Sequence, residues 1–287
     1  MKIQDIFIAL LVPAILGFGF VIAKPAMQYF PTYLLMGMRF TIPALLLVWW
    51  FPLPRGLFLD LFKVSLIGST LQYGLTYTGL SIIDASSAIL LVQVEVPFGI
   101  IIAFFLLKEI PTIKNIVGLV IAFIGVFVLT GAPNLEGKYI GVLLTLAGAF
   151  CWALGAVMAK PLSKKIGAFA LMTWLCVFSG PMLIVLSIIF DGNPIPYILS
   201  ANLYSWLTVM FLGFIMQPVG YAAWYYVLKK YPVNKVMPVL LVLPVTGLLT
   251  SIFLLGEDPP KQVFLGGLVI ISGVGMILFN KSKKNNQ

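Results

Sequence analysis

Ten apolar runs occupy almost the whole of this 287-residue sequence, at 3-23, 32-51, 61-80, 84-107, 112-131, 138-159, 167-190, 203-228, 232-255 and 262-280. A helix needs about 20 apolar residues to cross the roughly 30 Å hydrocarbon core of a bilayer. The runs have about that length, and the segments between them are too short to form a separate soluble domain. They are apolar on all faces, whereas a helix at the surface of a soluble protein keeps a polar face. They also lack the period-2 alternation of a membrane β-barrel. The expected fold is an all-α membrane protein of ten transmembrane helices, and any activity sits within the bilayer.

Only 9% of the residues are charged, against about 25% in ordinary soluble domains, so each charge is informative. Sorted by alternate loops, Lys2, Arg55, Lys63, Lys108, Lys114, Lys160, Lys164, Lys165, Lys229, Lys230, Lys235, Lys281, Lys283 and Lys284 share one side. Lys24, Lys138 and Lys261 lie on the other, and of the basic residues only Arg39 falls deep within a run. The positive-inside rule then puts both termini in the cytoplasm, and the expected location is the bacterial inner membrane, spanned many times. The net charge of +9 is scattered between apolar runs rather than gathered on one face, which argues against nucleic acid as a partner. Lys2 ahead of the first run gives it the look of a signal peptide, but the end of that run recurs in mid-chain, which marks a retained helix.

The sequence contains no histidine, which removes the commonest general acid/base residue and the commonest metal ligand. Cys151 and Cys176 lie inside apolar runs without metal-ligand spacing and read as small packing residues. The expectation is a protein that is not an enzyme and carries neither cofactor nor metal.

Laid on itself, the sequence repeats. Gly19, Ala23, Lys24 and Pro25 recur as Gly155, Ala159, Lys160 and Pro161, at an offset of 136. Farther on, Gly99, Leu106, Leu107, Glu109, Pro111, Gly118, Gly125 and Val126 recur as Gly247, Leu254, Leu255, Glu257, Pro259, Gly266, Gly273 and Val274, at an offset of 148. The second half therefore carries about a dozen extra residues, which the turn-rich 191-202 connection accommodates. The division falls into residues 1-135 and 136-287, each with five runs. An odd number of spans makes equivalent helices cross in opposite directions, the inverted repeat common among secondary transporters.

These residues resemble the EamA family of the drug/metabolite transporter superfamily. The likeness rests on Leu106-Leu107-Lys108-Glu109 with Gly118 and Gly125, and on Leu254-Leu255-Gly256-Glu257 with Gly266 and Gly273. Met38-Arg39-Phe40 and Cys151-Trp152-Ala153 add to it. Lys108 stands where the family pattern more often has glycine. The resemblance implies ten helices with both ends cytoplasmic, a central cavity between the halves, alternating access, and amino acids or other metabolites as exported cargo.

Glu95 lies within the fourth run, where a buried carboxylate costs about 2.5–3.5 kcal/mol on insertion scales unless it faces a cavity or a partner. It reads either as a proton-coupling site or counter-charge for a substrate amine, or as the ion-pair partner of Arg39. Gln72, Thr76 and Gly79 form a stripe at i, i+4, i+7, with Tyr73 and Tyr77 one step around. Gln217, Tyr221, Trp224 and Tyr225 form another at i, i+4, i+7, i+8. Gln93 and Trp152 complete the candidate substrate-lining set of Gln72, Tyr73, Tyr77, Gln93, Glu95, Trp152, Gln217, Tyr221 and Trp224. For the glutamines and Trp152, interhelical bonding and packing compete with cavity lining. Pro97, Pro218, Pro238 and Pro244 are expected kinks, and Gly118, Gly125, Gly266 and Gly273 mark faces for close helix approach.

The function expected is secondary active export of a small metabolite, with protons as a possible co-substrate and the lipid bilayer as solvent. A channel or an importer is the first rival. An intramembrane lipid enzyme is the second, and the short polar loops supply no cluster of catalytic groups for it.

Overall fold

The structure is a computed structural model that describes residues 3–107, 110–230 and 242–278. It is helical, with no strand among the described residues. Helix α1 (Ile3–Ala26) retains Pro13 and Pro25 within it, and α2 (Thr32–Leu47) ends in a single 3-10 turn, Val48–Trp50. Helix α3 (Phe58–Ser65) runs through a π-helical stretch, Leu66–Leu71, straight into α4 (Gln72–Ile82).

The run expected as one span at 84-107 is two helices, α5 (Ala85–Val92) and α6 (Glu95–Leu107). Pro97 has no N–H to continue the ladder. The Gln93 carbonyl instead accepts from Val96 at 3.2 Å, and the regular pattern resumes with Phe98 donating to Val94 at 3.0 Å.

Thr112 begins α7 (Ile113–Thr130) by accepting from the Asn115 N–H at 3.3 Å, a side-chain cap on an otherwise unbonded donor. Helices α8 (Tyr139–Ile166) and α9 (Ala168–Phe190) are joined by Gly167 alone, at φ +70, a left-handed conformation that glycine adopts without a Cβ penalty. The extra connection of the second half holds a short helix, α10 (Ile195–Ser200). Asn202 then caps α11 (Leu203–Met210), which continues through a second π-helical stretch, Phe211–Gly220, into α12 (Tyr221–Lys230). Helices α13 (Val242–Leu255) and α14 (Lys261–Leu278) complete the described chain. The first part of the ninth expected run, with Pro238, lies outside the described residues.

Among the described residues, seven helical stretches are long and apolar enough to cross a membrane, and α13 and α14 are apolar but shorter. Their pairing is orderly. Helix α2 packs on α9, α7 on α14, α4 on α8, and α6 on α8. Helix α1 lies against the second π stretch, α12 and α13. The α7–α14 seam is built on glycine: a Cβ on Gly125 would stand 2.6 Å from the Ile270 nitrogen, and one on Gly118 2.6 Å from the Gly273 carbonyl oxygen. Backbones meet there, so the seven-residue glycine spacing read from the sequence is scaffold.

Candidate functional site

The most demanding group in the fold is Arg39, near the middle of α2 and fully buried. A guanidinium keeps its charge at any physiological pH, and its placement at mid-helix in lipid costs about 2.5–3.5 kcal/mol on insertion scales. Its partners are all neutral. Nη1 donates to the Tyr77 hydroxyl at 3.1 Å, and Nη2 donates to the Tyr73 hydroxyl at 3.2 Å and to Gln217 Oε1 at 3.1 Å. Its Cζ lies 4.4 Å from the Tyr73 ring centroid and 5.6 Å from that of Phe40. Hydrogen bonds to a charged group contribute about 1.5–3 kcal/mol each and cation–π contacts about 0.5–2, so together they offset the burial.

Helical spacing brings these partners together. Tyr73 and Tyr77, one turn apart on α4, present stacked rings 5.8 Å apart toward α2. Gln217 stands in the second π stretch, where Pro218 interrupts the normal ladder, and Tyr221 opens α12. Such wide turns re-aim side chains and recur at functional sites. Gln217 is itself oriented: Nε2 donates to Cys176 Sγ at 3.6 Å, which leaves Oε1 for Arg39. The Tyr73 and Tyr221 hydroxyls share a hydrogen bond. An offset of 148, the one read farther along the sequence, carries Tyr73 onto Tyr221.

Of the nine candidate residues, the structure gathers Tyr73, Tyr77, Gln217 and Tyr221 around Arg39. It places the others elsewhere. Gln72 bonds within its own helix, to Thr76 Oγ1 at 3.3 Å. The Gln72–Thr76–Gly79 stripe is a seam against Gly141, Thr145 and Gly148 of α8, because these small side chains let α4 and α8 approach closely. Gln93 is buried and donates to the carbonyl of Ile89 at 3.5 Å. Trp224 packs with Ala9, Val12 and Val227 at the α1–α12 contact. Trp152 is half-buried on α8, and the Tyr225 side chain lies outside the described residues. Glu95 is half-buried at the first position of α6 and makes no ion pair with Arg39: both ion pairs found among the described residues belong to Lys24. The intramembrane pairing considered from the sequence is therefore not formed. Aromatic faces and neutral oxygens took the place of the carboxylate.

A second cluster closes one end of the bundle. Glu257, just past α13, accepts from the first two amides of α5, Ala85 N–H at 2.8 Å and Ser86 N–H at 2.9 Å. A carboxylate on a helix N-terminus satisfies unbonded donors and meets the positive end of the helix dipole. Lys24, two residues before the end of α1, stands 3.5 Å from Glu257 and 3.8 Å from Asp84, and donates to the Ile83 carbonyl at 2.6 Å. Asn134 donates to Asp84 and to Ser87, tying in the segment after α7. Lys24 and Glu257 both belong to the repeated motifs. The sequence singled them out as repeat markers; only the fold joins them.

Comparison with known proteins agrees with this architecture. The profile of the EamA-like transporter family matches residues 4–131 and again residues 139–279. The chain is 29% identical to a probable amino-acid metabolite efflux pump of Escherichia coli (strain K12), over 97% of this chain and 96% of that one. It is 26% identical to the uncharacterized transporter YoaV of Bacillus subtilis (strain 168), over 95% and 96%. A solved crystal structure shares the fold at a TM-score of 0.66, with 17% identity over 93% of this chain and 94% of that one. Two successive matches spanning nearly the whole sequence, on a bundle of apolar helices closed around a buried polar network, place this chain in the EamA-like transporter family, as a membrane transporter of small molecules and not an enzyme.

Proposed function

We propose that the protein is a secondary active transporter that exports amino acids or related metabolites by alternating access. Ten spans form two inverted five-helix halves, 1-135 and 136-287, with both termini in the cytoplasm. The observation that carries this reading is the buried network at the junction of the halves. Arg39, Tyr73 and Tyr77 come from the first, Gln217 and Tyr221 from the second, and the Tyr73 and Tyr221 hydroxyls touch. The order of packing supports it too. Helix α4 leans on α8 as the second π stretch and α12 lean on α1, while α2 with α9 and α7 with α14 pair like with like. The printed name of the Escherichia coli relative supports amino acids as cargo.

On the positive-inside orientation, the Lys24–Asp84–Glu257 cluster lies at the outer end, and the conformation described is the one closed to the outside. Opening separates Glu257 from the start of α5. The same residue types recur in sequence as Glu109 and Lys160 for the opposite end. Glu95 is the coupling residue in this scheme. It begins a half-helix within the membrane and has no ion-pair partner among the described residues, so gain of a proton removes the charge that otherwise opposes its movement through lipid.

Uptake of labelled amino acids into inside-out vesicles tests the scheme. Flux saturates with concentration for a carrier with one site per cycle, and Glu95→Gln loses the pH dependence of that flux. Non-saturating flux makes the protein a channel, and an unaltered pH profile in Glu95→Gln removes the coupling assignment.

A further inference from the structure

We infer that Arg39 is the anchor for a substrate carboxylate, received along the Nε/Nη2 edge of its guanidinium in place of the amide oxygen of Gln217. The inference rests on the transport reading and names the chemical class its central site accepts.

Three observations converge. First, Arg39 is completely buried, and no carboxylate oxygen lies within ion-pairing distance of it among the described residues, so its hydrogen bonds are largely met but its charge is not. Second, Nε–H is buried and has no acceptor among the described residues. Nε–H and one Nη2–H point along the same edge of the planar guanidinium, the fork that takes a carboxylate through two parallel hydrogen bonds. Third, one of the two acceptors on Nη2, Gln217 Oε1 at 3.1 Å, is a neutral amide oxygen on the π-helical stretch of the opposite half, and the other is the Tyr73 hydroxyl. No charged acceptor stands on the fork among the described residues.

Tyr73 and Tyr77 sit otherwise. Their hydroxyls and the face of Tyr73 hold the guanidinium from within the first half, and they remain useful when an anion arrives. Among the described residues, Gln217 alone hydrogen-bonds Arg39 from the second half. With the site empty, the amide oxygen and the phenols satisfy the cation well enough for the halves to close. With a carboxylate bound, the Nε donor and the charge are both satisfied, and the Arg39–Gln217 bridge is released. Binding is thereby coupled to the contact between halves, and molecules that lack a carboxylate forgo the term that releases it.

The purified protein in nanodiscs tests this by binding alone, independent of flux. Common L-amino acids are titrated by calorimetry and thermal shift, each beside its primary amide and its decarboxylated amine, and sodium chloride is compared with sodium gluconate. The acids that bind the unaltered protein are expected to lose about tenfold or more in affinity as amides, since neutralising the carboxylate abolishes a charged bidentate pair. Arg39→Gln binds acid and amide alike, and Arg39→Lys, with charge but no fork, falls between. The comparison of acid with amide needs no substitution and stands even if the variants fold poorly. Equal binding of acid and amide, undiminished acid binding in Arg39→Gln, or no carboxylate binding at all overturns the assignment. An Arg39-dependent response to chloride without one to any carboxylate also overturns it, in favour of an inorganic anion. Saturable vesicle flux with any of these results leaves the transporter standing and removes only the anchor.

Discussion

Glu257→Gln is the most informative single change at the closed end. The carboxylate accepts two backbone N–H donors, at 2.8 and 2.9 Å, with its side chain 14% exposed. Hydrogen bonds to a charged acceptor contribute about 1.5–3 kcal/mol each, and a neutral amide oxygen retains one bond of about 1 kcal/mol. The helix N-terminus adds about 0.3–1 kcal/mol for the negative charge. The Lys24 contact at 3.5 Å is partly exposed and adds less than about 1 kcal/mol. The freed α5 amides sit at an end of the bundle where water can replace part of the loss, which leaves a net weakening of about 1–2 kcal/mol. Opening of this end then becomes about 5–30-fold more favourable. Hydrogen exchange followed by mass spectrometry on the 84–92 segment in nanodiscs reads that change directly. Glu257→Gln is expected to exchange faster by that factor. If the Ala85 and Ser86 amides exchange at the parental rate in Glu257→Gln, the carboxylate does not hold the end shut and the reasoning fails.

Two further changes probe the scaffold. Gly125→Ala drives a methyl group to 2.6 Å from the Ile270 nitrogen, so thermal unfolding in detergent should show a loss of about 1–3 kcal/mol from overpacking. Gly99→Ala, with nothing within 4 Å of the added carbon, should be neutral or slightly stabilising, and equal behaviour of the two removes the close-approach argument. Pro97→Ala restores the N–H whose absence parts α5 from α6; we expect unchanged or higher thermal stability with slower vesicle flux. Unchanged flux would show that the break is not a moving part.

The apolar runs, the two sets of recurring residues and the lysine asymmetry were all legible because each is a local property, readable without knowing what lies across the fold. So was the family, from Leu254-Leu255-Gly256-Glu257 and its first-half counterpart. Arg39 was visible too, as the lone basic residue deep inside a run, and Tyr73 and Tyr221 each belonged to a candidate stripe. Their meeting was not. The pairing considered for Arg39 was Glu95, the other intramembrane charge. Opposite charges are the default expectation when neighbours are unknown, and a neutral cage of phenols and an amide leaves no comparable sequence signal.

The tertiary structure alone decided which face of each helix turned inward. In water, hydrophobicity separates the buried side of a helix from the exposed one. In a bilayer the lipid tails are as apolar as a protein core, so that contrast vanishes and small or polar residues become the only guide. The guide is ambiguous. Thr76 and Gly79 formed a seam with α8 while Tyr73 and Tyr77, one step around, met Arg39. Gln217 bonds to Arg39 across 178 positions of chain. The solvent and the kinship followed from the sequence by itself, because both are carried by composition and short motifs along the chain. Which side chains share the centre depends on how helices rotate and approach, and that is set by steric fit between backbones that are remote in sequence.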